Sequence, residues 1–319
     1  MKEIGGYIEF ESYFGSVYHE GAVALNCGRN CLAYLIEVQA VKRIRLPYFL
    51  CGSVTGVCRK YGVETDFYRI GEDFRPITDF ELRPDEWLYI VNYYGQLTNE
   101  EAAEYKRKYG RVIFDNAQSY FQRPAENVDT IYTCRKFFGV PDGGFVYTAK
   151  HPDRVLPTDE SFERIHYILG RYERTAGEFY KESADNNHSF ADEPIKKMSK
   201  LTENLLRSFD YDRIIARRTE NFRYLHERLG GMNRLKLRVP EGAFMYPLYL
   251  ENGAEVRKRL QQMKIFVPML WGDVLEICGE HSLEYSYAKN ILPLPTDQRY
   301  DKNDMEYMIA RLTENGGTL

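Results

Sequence analysis

From residue 20 to residue 150, short apolar runs alternate with segments whose apolar positions recur every three or four residues. That is the pattern of strands and covering helices. Ala22-Val23-Ala24-Leu25 is a short apolar run leading into Asn26-Cys27-Gly28-Arg29-Asn30. Cys31 to Val41 then places Leu32, Leu35, Ile36 and Ala40 at helical spacing. Ile44 to Pro47 reads as a strand end, Val54 to Tyr61 as a helix closed by Gly62, and Thr65 to Ile70 as a strand. Trp87 to Val91 is a stronger strand. Thr98-Asn99-Glu100-Glu101 is a capping box, in which the threonine hydroxyl and the glutamate reciprocally satisfy amides at a helix start. That helix runs to Tyr109 and stops at Gly110. Val112-Ile113-Phe114 reads as a buried strand ending on Asp115, followed by strands at Ile131-Tyr132 and Phe145 to Thr148.

Strands separated by helices predict an α/β fold, with a mostly parallel sheet covered by helices on both faces. Ligands in such folds sit beyond the carboxyl ends of the strands, and Gly28 and Asp115 both fall at such ends. After Pro157 the pattern changes. Residues 159–182 and 195–230 read as charged helices, with the polar stretch Ala184-Asp185-Asn186-Asn187-His188 between them as a loop. From Leu235 strand and helix patterns mix again, at Met245 to Leu250, Ile265 to Leu270 and a final helix from Asp304 to Leu312. The expected organisation is a large α/β domain over 1–157, a helical connection over 158–230 and a small C-terminal α+β domain over 231–319.

The length of 319 residues suits one large and one small domain. With 43 basic against 47 acidic residues, the charge makes no electrostatic case for nucleic acid or an anionic membrane surface. No apolar run is long enough to span a bilayer and the start has no signal-peptide core, so a cytoplasmic protein is expected. Cys27, Cys31, Cys51, Cys58, Cys134 and Cys278 form no CxxC pair, which favours reduced, buried thiols over a metal site.

The chemistry is concentrated between residues 115 and 144. A carboxylate at the end of an apolar strand is costly unless it is paired, so Asp115 is either a cap, a salt-bridge partner or a functional group. Lys136, in Thr133-Cys134-Arg135-Lys136-Phe137-Phe138-Gly139, sits between a strand and an aromatic pair, an unusual setting for a solvated lysine. A lysine amine can form a Schiff base with a carbonyl, and an aspartate can pair with a pyridinium nitrogen. These are the two groups a protein supplies to pyridoxal phosphate, with Lys136 and Asp115 as the catalytic pair. Gln118 could hydrogen-bond the ring hydroxyl, or simply the local backbone. The Thr133 hydroxyl could contact a phosphate oxygen. Gly143-Gly144 permits close backbone approach, or forms a plain turn in Pro141-Asp142-Gly143-Gly144. Gly28-Arg29-Asn30 opens a helix whose free amides and dipole would suit a phosphate. Trp271 and Arg299 are candidates for the substrate side, the alternatives being a core tryptophan and a salt-bridged arginine.

Taken together these segments resemble the DegT/DnrJ/EryC1/StrS family, the sugar aminotransferase branch of the fold type I pyridoxal-phosphate enzymes. The family's aspartate–x–alanine–glutamine motif appears as Asp115-Asn116-Ala117-Gln118, and its Schiff-base lysine with a following acidic–glycine–glycine as Lys136 and Asp142-Gly143-Gly144. Its phosphate turn is similar to Gly28-Arg29-Asn30-Cys31, and its histidine–x–tyrosine–glycine segment to Asn92-Tyr93-Tyr94-Gly95. Lys197-Met198-Ser199 is similar to the arginine–methionine–serine that opens a late helix. The resemblance implies a cofactor site of Gly28, Arg29, Asn30, Asn92, Tyr93, Asp115, Gln118, Thr133 and Lys136. It also implies small-molecule substrates, namely an amino donor such as glutamate and a keto acceptor on a nucleotide-linked sugar, and a homodimer. The chain departs from the family at three places. Cys51, with Tyr48 and Phe49 nearby, stands where an aromatic covers the cofactor ring, so that Tyr93 or Tyr94 becomes the expected stacking ring. Ile195-Lys196-Lys197 replaces the asparagine–tyrosine–arginine that reaches the partner's phosphate site. Ile131 replaces a phosphate-binding serine, which leaves that role to Thr133. The alternatives are a lyase or dehydratase with the same cofactor, against which Lys136 argues because the dehydratase branch carries histidine there, and a non-catalytic binding or assembly protein.

Overall fold

The computed structural model describes residues 4–313. The first half contains β1 (Val23–Leu25), α1 (Gly28–Gln39), β2 (Arg43–Pro47), α2 (Gly52–Lys60), β3 (Glu64–Tyr68), β4 (Glu86–Val91), α3 (Asn99–Tyr109), β5 (Val112–Asp115), β6 (Asp129–Thr133) and β7 (Gly144–Tyr147). The second half contains α4 (His166–Glu173), α5 (Tyr180–Ser189), α6 (Lys200–Leu206), α7 (Tyr211–Leu229), β8 (Met245–Tyr249), α8 (Gly253–Gln262), α9 (Val274–Ile277), α10 (Leu283–Asn290), β9 (Ile291–Pro295) and α11 (Lys302–Thr313).

Seven strands form one sheet in the order β1-β7-β6-β5-β4-β2-β3. Strands β2 to β6 pair in parallel, whereas β7 is antiparallel to both β6 and β1. Strand β1 therefore runs with the parallel set, and the carboxyl ends of β1, β4, β5 and β6 open on the same edge. Every residue of β4, β5 and β6 is buried, which is why these central strands read as near-continuous apolar runs. The capping box of α3 is present: Thr98 Oγ1 accepts the Glu101 amide at 3.2 Å, and the Glu101 carboxylate accepts the Thr98 amide at 2.8 Å. Helix α1 begins three residues before its apolar periodicity does, because Gly28, Arg29 and Asn30 add no apolar signal to the first turn.

The second sheet is the antiparallel pair β8-β9. Its core contains Leu248 and Leu292 from the strands, Leu225 and Leu229 from α7, Leu260 from α8, and Met305 from α11. The two cores are tied by Arg218 of α7. This guanidinium is 1% exposed and donates to the carbonyls of Ala243 and Phe137, each at 2.9 Å, and to Gln298 Oε1 at 2.7 Å. One buried side chain thus holds the small sheet against the segment that carries Lys136.

Three expectations from periodicity require correction. The polar stretch 184–188 is not a loop but lies inside α5, whose only buried residue is Asn186. A solvated helix has no apolar stripe to read. Here it is held by Asn186 donating to the Pro141 carbonyl at 2.8 Å and by a Lys181–Asp185 ion pair one turn apart. Ile265 to Leu270 forms neither strand nor helix; the partner of β8 is β9, Ile291–Pro295, which two prolines disguise. The charged stretches 159–182 and 195–230 are not continuous. The first holds a short 3₁₀ turn and α4, and the second breaks at caps Ser199 and Asp210. No helix among the described residues is long and apolar enough to cross a membrane.

Candidate active site

A cavity of about 340 Å³ opens at the edge where β1, β4, β5 and β6 end. Its floor comes from Tyr89, Asp115 and Ile131, one side from Gly28 and Arg29 at the start of α1, and another from Leu50, Cys51 and Val54 around α2. Ladder register explains the convergence: Val91 pairs with Asp115, and Asp115 with Ile131, so these residues sit level at the strand ends.

Asp115 is 7% exposed, and each carboxylate oxygen has one protein donor. Oδ1 accepts the Ala117 amide at 2.8 Å and Oδ2 accepts the Tyr89 hydroxyl at 2.7 Å. A carboxylate has roughly four acceptor positions, so room for a further N–H donor remains. Burial pushes the Asp115 carboxyl above the usual carboxylate range, while Lys136, the Tyr89 hydroxyl and the Ala117 amide pull it back. Gln118 lines the same cavity and accepts the Tyr94 amide through Oε1 at 2.8 Å, which leaves its NH₂ group to donate.

Lys136 lines the cavity from the turn after β6. Among the described residues its Nζ makes no hydrogen bond or ion pair; its one ring contact is with Phe244, at 5.8 Å from the centroid. Lys136 also lines a second cavity of about 590 Å³ on its other side, with Tyr167, Arg171, Phe179, Arg218 and Arg299. The lysine therefore stands at a wall common to both spaces.

The glycines after Lys136 set how close α1 can come. Gly144 pairs with Thr133 on one side and Leu25 on the other. A Cβ on Gly144 would lie 2.8 Å from Cys31 Sγ and 3.0 Å from the Cys27 carbonyl carbon, so only glycine admits the start of α1 here. Gly143 has φ +116°, and its amide donates to the Asn26 carbonyl, fixing the turn before α1. The resulting N-terminus faces the cavity with Gly28 and Arg29. Arg29 donates to the Asn187 carbonyl at 3.0 Å, and Arg135 to Asn187 Oδ1 at 3.3 Å, so one residue of α5 holds two guanidinium groups at the cavity wall. The Arg135 Nε is shut from solvent without a partner. Thr133 lines the cavity, with its hydroxyl 3.4 Å from the Gly143 carbonyl, a contact long enough to be exchanged for another acceptor. Burial raises the thiols of Cys27, Cys31 and Cys134, so none is a ready thiolate.

Five residues expected at the site lie elsewhere or are already engaged. Asn92 is fully buried; its Nδ2 donates to Asn116 Oδ1 and Gln122 Oε1, and its Oδ1 accepts the Leu97 amide. Tyr93 and Tyr94 are 1% exposed and absent from the cavity wall, Tyr93 donating its hydroxyl to the Phe49 carbonyl. Asn30 points away too, donating to Asn26 Oδ1 and the Pro194 carbonyl. Arg299 is held by Asp297 through bonds of 2.6 and 2.8 Å and lines the second cavity, while Trp271 lines the first. Tyr89 and Asn187 are the residues that sequence reasoning missed. A hydroxyl inside the apolar run of β4 was the available signal for Tyr89; Asn187 had none.

No protein-family model matches the chain, and no curated protein matches it. Solved structures do. DesV of S. venezuelae, in complex with a ketimine intermediate, is 17% identical, with 91% of this chain and 83% of that chain covered and a TM-score of 0.63. NtdA from Bacillus subtilis, with bound PMP, is 11% identical over 91% of this chain and 72% of that one, at a TM-score of 0.64. A DegT DnrJ EryC1 StrS aminotransferase from Brucella abortus is 15% identical over 92% and 85%, at 0.60. At such identities the shared property is the backbone arrangement, and this chain has the α/β fold of the fold type I pyridoxal-phosphate aminotransferases.

Proposed function

We propose that this chain is a pyridoxal-phosphate-dependent aminotransferase that moves an amino group from a donor amino acid such as glutamate to a keto group of a nucleotide-linked sugar. One observation carries the reading: a lysine unpaired among the described residues, a buried carboxylate and a helix N-terminus meet in a single cavity. Those residues fit the cofactor. Bound pyridoxal phosphate supplies a carbonyl to the lysine and an electron-withdrawing ring that stabilises negative charge on the substrate carbon. Asp115, its carboxylate fixed by Tyr89 and Ala117, would keep the ring nitrogen protonated. The Gln118 amide would donate to the ring hydroxyl, and Ala117 and Ile131 line the same cavity. The first-turn amides of α1, the Thr133 hydroxyl and the Arg29 and Arg135 guanidinium groups would hold the phosphate. Lys136 Nζ, which has no competing hydrogen-bond or ion-pair partner among the described residues, would be the amine that holds the carbonyl and the general acid–base at the substrate carbon.

The likeness to solved structures of sugar aminotransferases, one of them in PLP and PMP forms, supports this assignment. On the acceptor side, the second cavity offers Arg171 beside Tyr167 and Tyr172, chemistry that suits an anionic acceptor carrying a ring. A homodimer is part of the proposal. Lys196 is bound to Asp159 and Glu193, whereas Lys197 is exposed and available to a partner's phosphate site.

The test is a visible absorption spectrum with added pyridoxal phosphate, recorded beside Lys136→Ala. The wild type should gain a yellow band that borohydride abolishes and glutamate bleaches, and the variant should lack it. A wild type without the band at saturating cofactor would refute the proposal.

A further inference from the structure

Resting on the cofactor reading above, we infer that Trp271, clasped onto α2 through Asp273, is the aromatic wall of the cofactor cavity. It replaces the ring that is missing at Cys51. Cys51 and Leu50 line the cavity with small or aliphatic side chains, and the tyrosines of the next loop, Tyr93 and Tyr94, are buried behind it. Among the described residues of the C-terminal part, Trp271 is the one aromatic that lines this cavity.

Its position is built. The indole lies 4.4 Å from the Phe49 ring, centroid to centroid, and 5.5 Å from Tyr93 in an edge-to-face arrangement. Two residues on, Asp273 Oδ2 accepts the Gly52 amide at 3.1 Å, at the first residue of α2. A carboxylate at a helix N-terminus is favoured by the dipole as well as by the bond. A Cβ on Gly52 would stand 2.2 Å from that carboxylate oxygen, so glycine at 52 is what lets the two segments meet. Cys51, next to Gly52, is thereby bracketed by the clasp. Trp271 itself sits at φ +58°, a left-handed conformation that a large side chain keeps only where its surroundings over-determine it, as they do at ligand clamps. The indole is only partly buried, which leaves part of it open to the cavity. An aromatic face against a flat heteroaromatic ring is a favoured offset-stacked contact. The wall thus comes from a segment more than 200 residues away, as the Gly52–Asp273 separation of 221 shows.

The experiment uses the full chain and pyridoxal phosphate as the probe. Affinity is read from the visible band for Trp271→Ala, Trp271→Phe, Asp273→Ala and Asp273→Asn. Hydroxyl-radical footprinting with mass spectrometry reads the oxidation of each tryptophan with and without cofactor. Trp271→Ala should bind about tenfold more weakly and Trp271→Phe within about threefold of wild type. Asp273→Ala should weaken binding, and Asp273→Asn, which keeps an acceptor oxygen, should restore it. Cofactor should protect Trp271 from oxidation and leave Trp87, at the opposite end of β4 from the cavity, unchanged. Should Trp271→Ala fail to fold, the phenylalanine variant, the Asp273 pair and the footprint still decide. Equal oxidation of Trp271 with and without cofactor, or wild-type affinity in both alanine variants, overturns the inference while a borohydride-stable adduct on Lys136 leaves the cofactor reading standing. Absence of that adduct from the wild type overturns both.

Discussion

Replacing His19 should change how stability depends on pH. Its ring is 1% exposed, ahead of β1, with Nε2 2.8 Å from the Tyr120 carbonyl and Nδ1 3.3 Å from the Tyr147 hydroxyl. A carbonyl can only accept, so Nε2 carries the hydrogen, and Nδ1 accepts from the tyrosine. Both ring nitrogens are used by the neutral form, and the ring lies among Tyr18, Tyr120, Tyr132 and Phe145. Burial, with a further contribution from the Arg123 charge, lowers the pKa from 6.5 to about 3. Below pH 6.5 the unfolded chain gains a proton that the folded chain refuses. Stability is therefore full above 6.5 and falls as pH drops towards 3, at about 1.36 kcal/mol per unit, to a limit of ~5 kcal/mol. At pH 5.0 the loss is ~2 kcal/mol. His19→Gln preserves a donor for the Tyr120 carbonyl and an acceptor for the Tyr147 hydroxyl but cannot titrate. Urea denaturation at pH 7.5 and 5.0 should show the wild type losing ~2 kcal/mol more than the variant. If the two lose the same to within about 0.5 kcal/mol, the reasoning is wrong.

Two further outcomes follow from the site. Asp115→Asn keeps the shape but removes the charge. An ion pair near 4 Å in a partly polar interior is worth ~4 kcal/mol, so single-turnover transamination should slow by about three orders of magnitude; less than tenfold would remove Asp115 from the mechanism. Asn92→Ala breaks three hydrogen bonds, two of them fully buried, and should cost ~3 kcal/mol in urea denaturation, with cofactor affinity unchanged under native conditions. A selective loss of affinity would instead return Asn92 to the cofactor.

The central strands were legible because they are buried on both faces, so apolar composition marks them without any alternation. Asp115 was legible for the same reason: a carboxylate closing such a run must be satisfied by something. Helix α5 was not, since a helix held by Asn186 and surface ion pairs has no apolar stripe. Strand β9 was hidden by prolines that a two-stranded sheet tolerates at its edge. The expectation for Asn92 and Tyr93 came from resemblance to a motif, which carries no information on the partners that engage their side chains in the packing behind the cavity.

By itself the sequence determined the alternation of strand and helix, the carboxylate at a strand end, the lysine beyond the next strand and the glycines that follow it. All of these are local, and burial imposes a period or a breaker on the chain wherever it is local. Only the tertiary structure decided which groups share a space. Tyr89 on Asp115, Asn187 between Arg29 and Arg135, Asp273 on Gly52 and Arg218 beneath the Lys136 segment are contacts between residues 26 to 221 positions apart. No periodicity records such pairs, because strand order and lobe docking bring them together only after each element has formed.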